Sequence, residues 1–346
     1  MANWQLKRGG IIMDVAVKRA EILDYIDKLY KGEKRTIISG QNNCHHNGKS
    51  NEEQYRFTEG LFNLTGQYPG MLATDYGYSP VSDRLADVNK YIVDYWNKGG
   101  LVSVSFHPGN PATGGTAWDT NFDGFREIIT KGAALNVKWT TEILDKIADG
   151  LAMLRDNGVV VLWRPYHEMN GNWFWWGPHD AKTETWRPAT DFTGLWIHMH
   201  DYFTKERGLD NLLWVYSHNV SYGNKYTMET DYCYPGAEYV DIVALDWYTD
   251  TVDNLNANNS YDDLTALGKP FGIGEFGPLK RRDGSFDNLT LLKALTEGPW
   301  RAAFFVYWDS WDSKKDGYCH VAIMDNANAK ELMNHPQTLN KGDIVL

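Results

Sequence analysis

The chain has 346 residues, 42% hydrophobic and 23% charged, which is enough for a sizeable core and within the size range of one α/β barrel. A formal net charge of −11 argues against nucleic acid or an anionic membrane surface as a partner, and no run of eighteen apolar residues offers a membrane span. Three cysteines are too few for a disulfide scaffold, whereas fifteen Trp, twenty Tyr and thirteen Phe suit the C–H faces of sugars, a Trp-rich core being the plainer alternative.

The start Met1-Ala2-Asn3-Trp4 does not read as a signal peptide, so the protein is either intracellular or has lost its leader. A helix is expected over about 14–31, then a first short strand at 36–39. The following Ser39-Gly40-Gln41-Asn42-Asn43 lacks the G-x-G-x-x-G spacing of a dinucleotide-binding sheet. The cluster Cys44, His45 and His46 raises the question of a metal. Adjacent residues chelate poorly and no further ligand is evident, so neither metal nor cofactor is expected. A strand at 71–74 precedes a helix at 82–97, whose apolar face is Val81, Leu85, Val88, Ile92, Tyr95 and Trp96. After the strand 101–106, a long loop rich in Gly, Thr and Asn is expected over about 108–138, with a short helix at 122–130.

A helix at 140–157, a strand at 159–163 and a helix at 191–207 follow. Further strands fall at 212–216, 241–245, 271–273 and 302–307. The basic run Lys280, Arg281, Arg282 reads as a solvated loop. Eight short apolar runs alternating with helical patterns predict an α/β fold, a (β/α)8 TIM barrel, as a single domain over 1–346.

Polar side chains cluster where these strands end. They are Asp75 and Tyr76, His107, Arg164 with His167 and Glu168, Ser217 to Asn219, Asp246 to Tyr248, Glu275, and Trp308 with Asp309. Strand ends are generally polar, but in a barrel they converge on one face, where sites are built. In Trp163-Arg164-Pro165-Tyr166-His167-Glu168-Met169-Asn170-Gly171-Asn172, a buried strand runs into chemistry-bearing residues. Trp173, Phe174, Trp175 and Trp176 come next, and at least one of them should face a cleft. Gly171 stands where a zinc H-E-x-x-H motif needs its second His. In Phe271-Gly272-Ile273-Gly274-Glu275-Phe276-Gly277, a second Glu sits among glycines that permit close approach. Two carboxyl groups facing one pocket fit acetal hydrolysis, in which one protonates the leaving oxygen and the other faces the anomeric carbon.

The Arg-Pro-Tyr-His-Glu-Met-Asn-Gly stretch at 164–171, its Trp-rich continuation and Ile273-Gly274-Glu275-Phe276-Gly277 resemble glycoside hydrolase family 26, best known for endo-β-1,4-mannanases, over essentially the whole chain. The resemblance implies a retaining double displacement, with Glu168 as acid/base and Glu275 as nucleophile. His107 and His167 would contact the sugar at the bond being cleaved, Trp173 would stack there, Tyr248 would orient Glu275, and Trp308 would floor the attacked sugar's subsite. Asp75, Arg164 and Asp246 complete the expected substrate-binding set. Burial among Trp173 and Trp175, with the charge of Glu275, should raise the Glu168 pKa, while Arg164 or Tyr248 should hydrogen-bond Glu275. The resemblance also implies a secreted monomer acting on β-mannan or mannooligosaccharides. Relatives acting on mixed-linkage β-glucan or β-1,3-xylan, or releasing mannobiose, leave those substrates open. A catalytically dead carbohydrate-binding barrel and a metal-dependent hydrolase are rivals of other classes.

Overall fold

A computed structural model describes residues 14–43, 50–77, 83–180, 182–223 and 226–345. Eight parallel strands close into a barrel in chain order: Gly40–Asn42, Met71–Asp75, Leu101–Phe106, Val161–Pro165, Leu212–Asn219, Ile242–Tyr248, Phe271–Gly277 and Phe305–Tyr307. Nearly every strand residue is buried, because helices cover the outside and side chains fill the inside. Alternate residues separate the two surfaces. Val161 and Trp163 pack toward the helices with Leu151 and Leu154, while Val160 and Leu162 join Leu213, Val215, Ile242 and Ala244 within the barrel.

The helix Val15–Lys31 begins with Asp14, whose carboxylate accepts from the Ala16 N–H. Its Ile22 and Ile26 join the inner cluster, and Arg19 reaches the Leu212 carbonyl and Asp241 (2.6 Å) at the starts of two barrel strands. The helix therefore covers the end of the barrel away from the polar residues.

Several expectations are corrected. Residues 36–39 are not the barrel strand: Ile37–Ile38 pairs with Thr338–Leu339, and the barrel strand is Gly40–Asn42, just beyond the expected one. A Cβ at Gly40 would lie 2.6 Å from the Phe305 carbonyl oxygen, so strand closure requires glycine there. The short helix expected at 122–130 is Phe125–Ile129, and the long loop ends early, because Ala134–Lys138 is helical as well. The second of these continues through a π-helical turn, Trp139–Leu144, into Asp145–Asp156. The helix expected at 191–207 is Ala189–Asp201 followed by a π-helical turn, Tyr202–Glu206. The helix expected at 82–97 is Leu85–Asn97; Val81 and Ser82, like Cys44, His45 and His46, lie outside the described residues. Cys233 and Cys319 are buried free thiols.

Candidate active site

Arg164, at the end of the fourth strand, forms the centre of the barrel mouth. Its guanidinium donates to Asp246 Oδ2 at 2.9 Å and to Glu275 Oε1. Burial alone would weaken its charge, but the two carboxylates hold its pKa well above the ordinary range. Asp246 also accepts from Ser217 Oγ at 2.7 Å. His167, Asp246 and Glu275 present ligand atoms within 4.8 Å of one another, the spacing of a metal set. Here the Arg164 guanidinium contacts both carboxylates and supplies the positive charge between them.

Glu275 lies beside Asp246 in the register of the sixth and seventh strands. Its Oε2 accepts from the Tyr248 hydroxyl at 2.8 Å, and His167 Nε2 stands 3.5 Å from Oε1. Arg164 and Tyr248 both hold this carboxylate, the surroundings of an anion.

Glu168 sits in a different setting. Its loop leaves the fourth strand with Tyr166 at φ 49° and Glu168 at φ 53°, both in the left-handed region that side chains disfavour. Flanking hydrogen bonds hold this turn: the Glu168 N–H donates to the Ser217 carbonyl, and the Gly171 N–H to the Glu168 carbonyl, both at 2.9 Å. Asn170 fastens the loop to the fifth strand, exchanging bonds with the Asn219 backbone at 2.9 and 3.0 Å. The Glu168 carboxyl accepts from Trp173 Nε1 at 2.7 Å and Asn219 Nδ2 at 2.8 Å. Burial first, then the charge of Glu275, pushes its pKa up to about 7, against the pull of these two donors and Arg164.

The aromatic run divides as its local bonds dictate. Trp175 Nε1 donates to the Pro108 carbonyl and Trp176 Nε1 to the His167 carbonyl, and Phe174 stacks on Trp176 at 4.2 Å. Those three pack inward, and Trp173 alone of the four stays half-buried beside Glu168. This corrects the role expected of Trp175, which packs against Tyr166 and Trp139. Trp173 acts on Glu168 in an added way, since its N–H bond opposes the rise in pKa that burial brings.

A cavity of about 280 Å³ is lined by Glu168, Asn219, Tyr222, Tyr248, Leu279, Arg282, Trp308 and Trp311. Glu168, Tyr248 and Trp308 thus meet in one place, and Glu275 adjoins it through its bond to Tyr248. Asp75 and Asp246, expected to bind substrate, are fully buried and spend their oxygens on other side chains, Asp75 on His107 and Asp246 on Arg164 and Ser217. They stand behind the cleft, and His107, His167 and Arg164 are nearly as deep. Arg282 is another correction. Its guanidinium lies 4.9 Å over the Trp311 ring at the cleft, where a solvated loop was expected. The sequence placed Asn219 at a strand end but gave it no role; alternation along the fifth strand puts it and Ser217 toward the mouth. His218 faces away, packed 4.4 Å from Tyr216 and pushed down to about pKa 3 by burial. Trp118 is half-exposed and stacked near His107, while Trp186 packs edge-on against His179.

The sequence profile of glycosyl hydrolase family 26 matches residues 14–343. A mannan endo-1,4-beta-mannosidase of Bacillus subtilis strain 168 is 36% identical over 81% of this chain and 74% of its own length. One from Caldalkalibacillus mannanilyticus, "mannan endo-1,4-beta-mannosidase A and B", is 34% identical over 93% of this chain, which spans 60% of that longer protein. A solved Bacillus subtilis mannanase superposes with a TM-score of 0.81 at 30% identity, covering 95% of this chain and 94% of that one.

Proposed function

The chain belongs to glycosyl hydrolase family 26, and from that premise we propose that it cleaves internal β-1,4-mannosidic bonds of mannan, glucomannan or galactomannan with retention of anomeric configuration. One observation carries this reading: two glutamates meet at the barrel mouth in unlike surroundings, Glu168 lining the cleft with its pKa pushed up to about 7 by burial and by Glu275, and Glu275 held through its two oxygens by Arg164 and Tyr248. Glu168 enters the reaction protonated. It gives that proton to the glycosidic oxygen as an oxygen of Glu275 bonds to the anomeric carbon and the old C–O bond breaks. Forming the ester removes the negative charge that had raised the Glu168 pKa, so its carboxylate now takes a proton from water, which displaces Glu275. Arg164 and Tyr248 orient the nucleophile through its two oxygens. Trp308 and Trp173 offer ring surface to the sugars on either side of the bond.

A polymer of this size does not cross a membrane intact, which supports the reading of a secreted enzyme, acting as a monomer without cofactor. Parallel assays on mannan, glucomannan, mixed-linkage β-glucan and β-1,3-xylan, with the anomer of fresh product followed by proton NMR, test the proposal. Cleavage of mannan and glucomannan with first-formed β product is expected. Preference for glucan or xylan would replace the substrate, and first-formed α product would remove covalent catalysis.

A further inference from the structure

We infer that Asp75, sealed from any sugar, is a positioning residue that acts through His107 to keep the single proton of His167 on Nε2, the nitrogen beside the nucleophile. The inference rests on the reading of Glu275 as that nucleophile.

The four side chains form a line into the site. Asp75 Oδ1 accepts the N–H groups of Gly77 (2.7 Å) and His107 (3.1 Å), and Oδ2 lies 2.7 Å from His107 Nδ1. Burial opposes ionisation of Asp75, but His107 and the surrounding donors outweigh it and hold its pKa below the usual carboxylate range. An ionised carboxylate only accepts, so His107 Nδ1 carries a proton. His107 Nε2 and His167 Nε2 are 2.8 Å apart, and two nitrogens at that distance share one hydrogen.

Where that hydrogen resides follows from the far side of His167. Its Nδ1 is buried with no hydrogen-bond partner. If His107 were the donor, the one proton of a neutral His167 would fall on Nδ1 as a buried, unpaired N–H, which is unfavourable. If His167 donates through Nε2, Nδ1 keeps only a lone pair. The second arrangement puts a neutral N–H dipole 3.5 Å from Glu275 Oε1, the oxygen that Arg164 already holds. The nucleophile then lies beside the positive edge of a neutral ring, whose N–H hydrogen is directed at His107, and not beside a second full positive charge, which would reduce its reactivity. The reversed arrangement would leave an unprotonated nitrogen of His167, with its partial negative charge, 3.5 Å from that carboxylate oxygen.

Asp75→Asn tests the device. The amide oxygen can keep both backbone donors, leaving Nδ2–H to face His107 Nδ1. That substitution moves the His107 proton to Nε2 and the His167 proton to Nδ1. In the full-length enzyme labelled with 15N-histidine and assigned with His107→Gln and His167→Gln, long-range 1H–15N correlation reads both tautomers. We expect His107 protonated on Nδ1 and His167 on Nε2 in the wild type, and both exchanged in Asp75→Asn. The exchange should lower kcat on the order of ten- to a hundredfold while KM moves less than about threefold. A wild-type His167 protonated on Nδ1, or on both nitrogens, overturns the inference even if the variant fails to fold. Exchanged tautomers with kcat intact, or a loss of kcat without exchange, also overturn it. Trapping the wild type with an activated 2-fluoro glycoside separately reports whether Glu275 is the nucleophile.

Discussion

Glu168 keeps its proton to about pH 7 because burial and the charge of Glu275 outweigh the donors on its oxygens. A general acid must be protonated to act, so kcat/KM should fall as pH rises through that value. Trp173 Nε1–H stabilises the ionised form. Removing it in Trp173→Phe, which keeps a ring, should raise the pKa and move the alkaline limb to higher pH. A limb that stays or moves to lower pH would contradict the assignment. Glu168→Ala should retain turnover only on glycosides with a good leaving group, whose departure needs no proton, and azide should accelerate it by attacking the exposed ester. Full activity on mannan without azide would remove Glu168 from the role.

The strands show what could and could not be inferred from the chain alone. The second to eighth barrel strands were legible because each is a short β-branched or aromatic run ending in chemistry-bearing side chains. Gly40-Gln41-Asn42 was not, because a strand of glycine and amides has no apolar signature, and its place is dictated by barrel closure. Glu168 and Glu275 were readable from their motifs. Arg282 was not, since its cleft-side position depends on Trp311, a neighbour from another loop. On the seventh strand, a Cβ at Gly274 would come 2.4 Å from Ser217 Oγ and 2.7 Å from Asp246 Oδ1. Gly274→Ala should therefore displace Asp246 and with it Arg164, lowering kcat at least tenfold while the protein stays folded. An unchanged kcat would show that the strand can yield. The helix Val15–Lys31 makes the opposite case. Ile26 is wholly buried in the inner cluster, far from the mouth, so Ile26→Ala should cost about 2–5 kcal/mol in denaturant unfolding and leave kcat/KM unaltered. Equal stability would mean that the helix does not close that end.

At the scale of the whole molecule, helix and inner cluster occupy one end of the barrel and the cleft the other, so stability and chemistry are spatially separated. Cleavage within a polymer should drop the viscosity of a galactomannan solution well before much reducing sugar appears. Viscosity falling only in proportion to released sugar would indicate attack from chain ends. The closing seam has its own consequence. Ile37–Ile38 is matched by Thr338–Leu339, and Gln41 meets Tyr307 across 266 residues. A ribosome adding about 5–20 residues per second delivers the first partner tens of seconds before the second. Until Tyr307 is made the nascent chain has an open sheet with unsatisfied edges, which exposes it to aggregation during synthesis, and a stall before that residue would release a polypeptide unable to finish its circle.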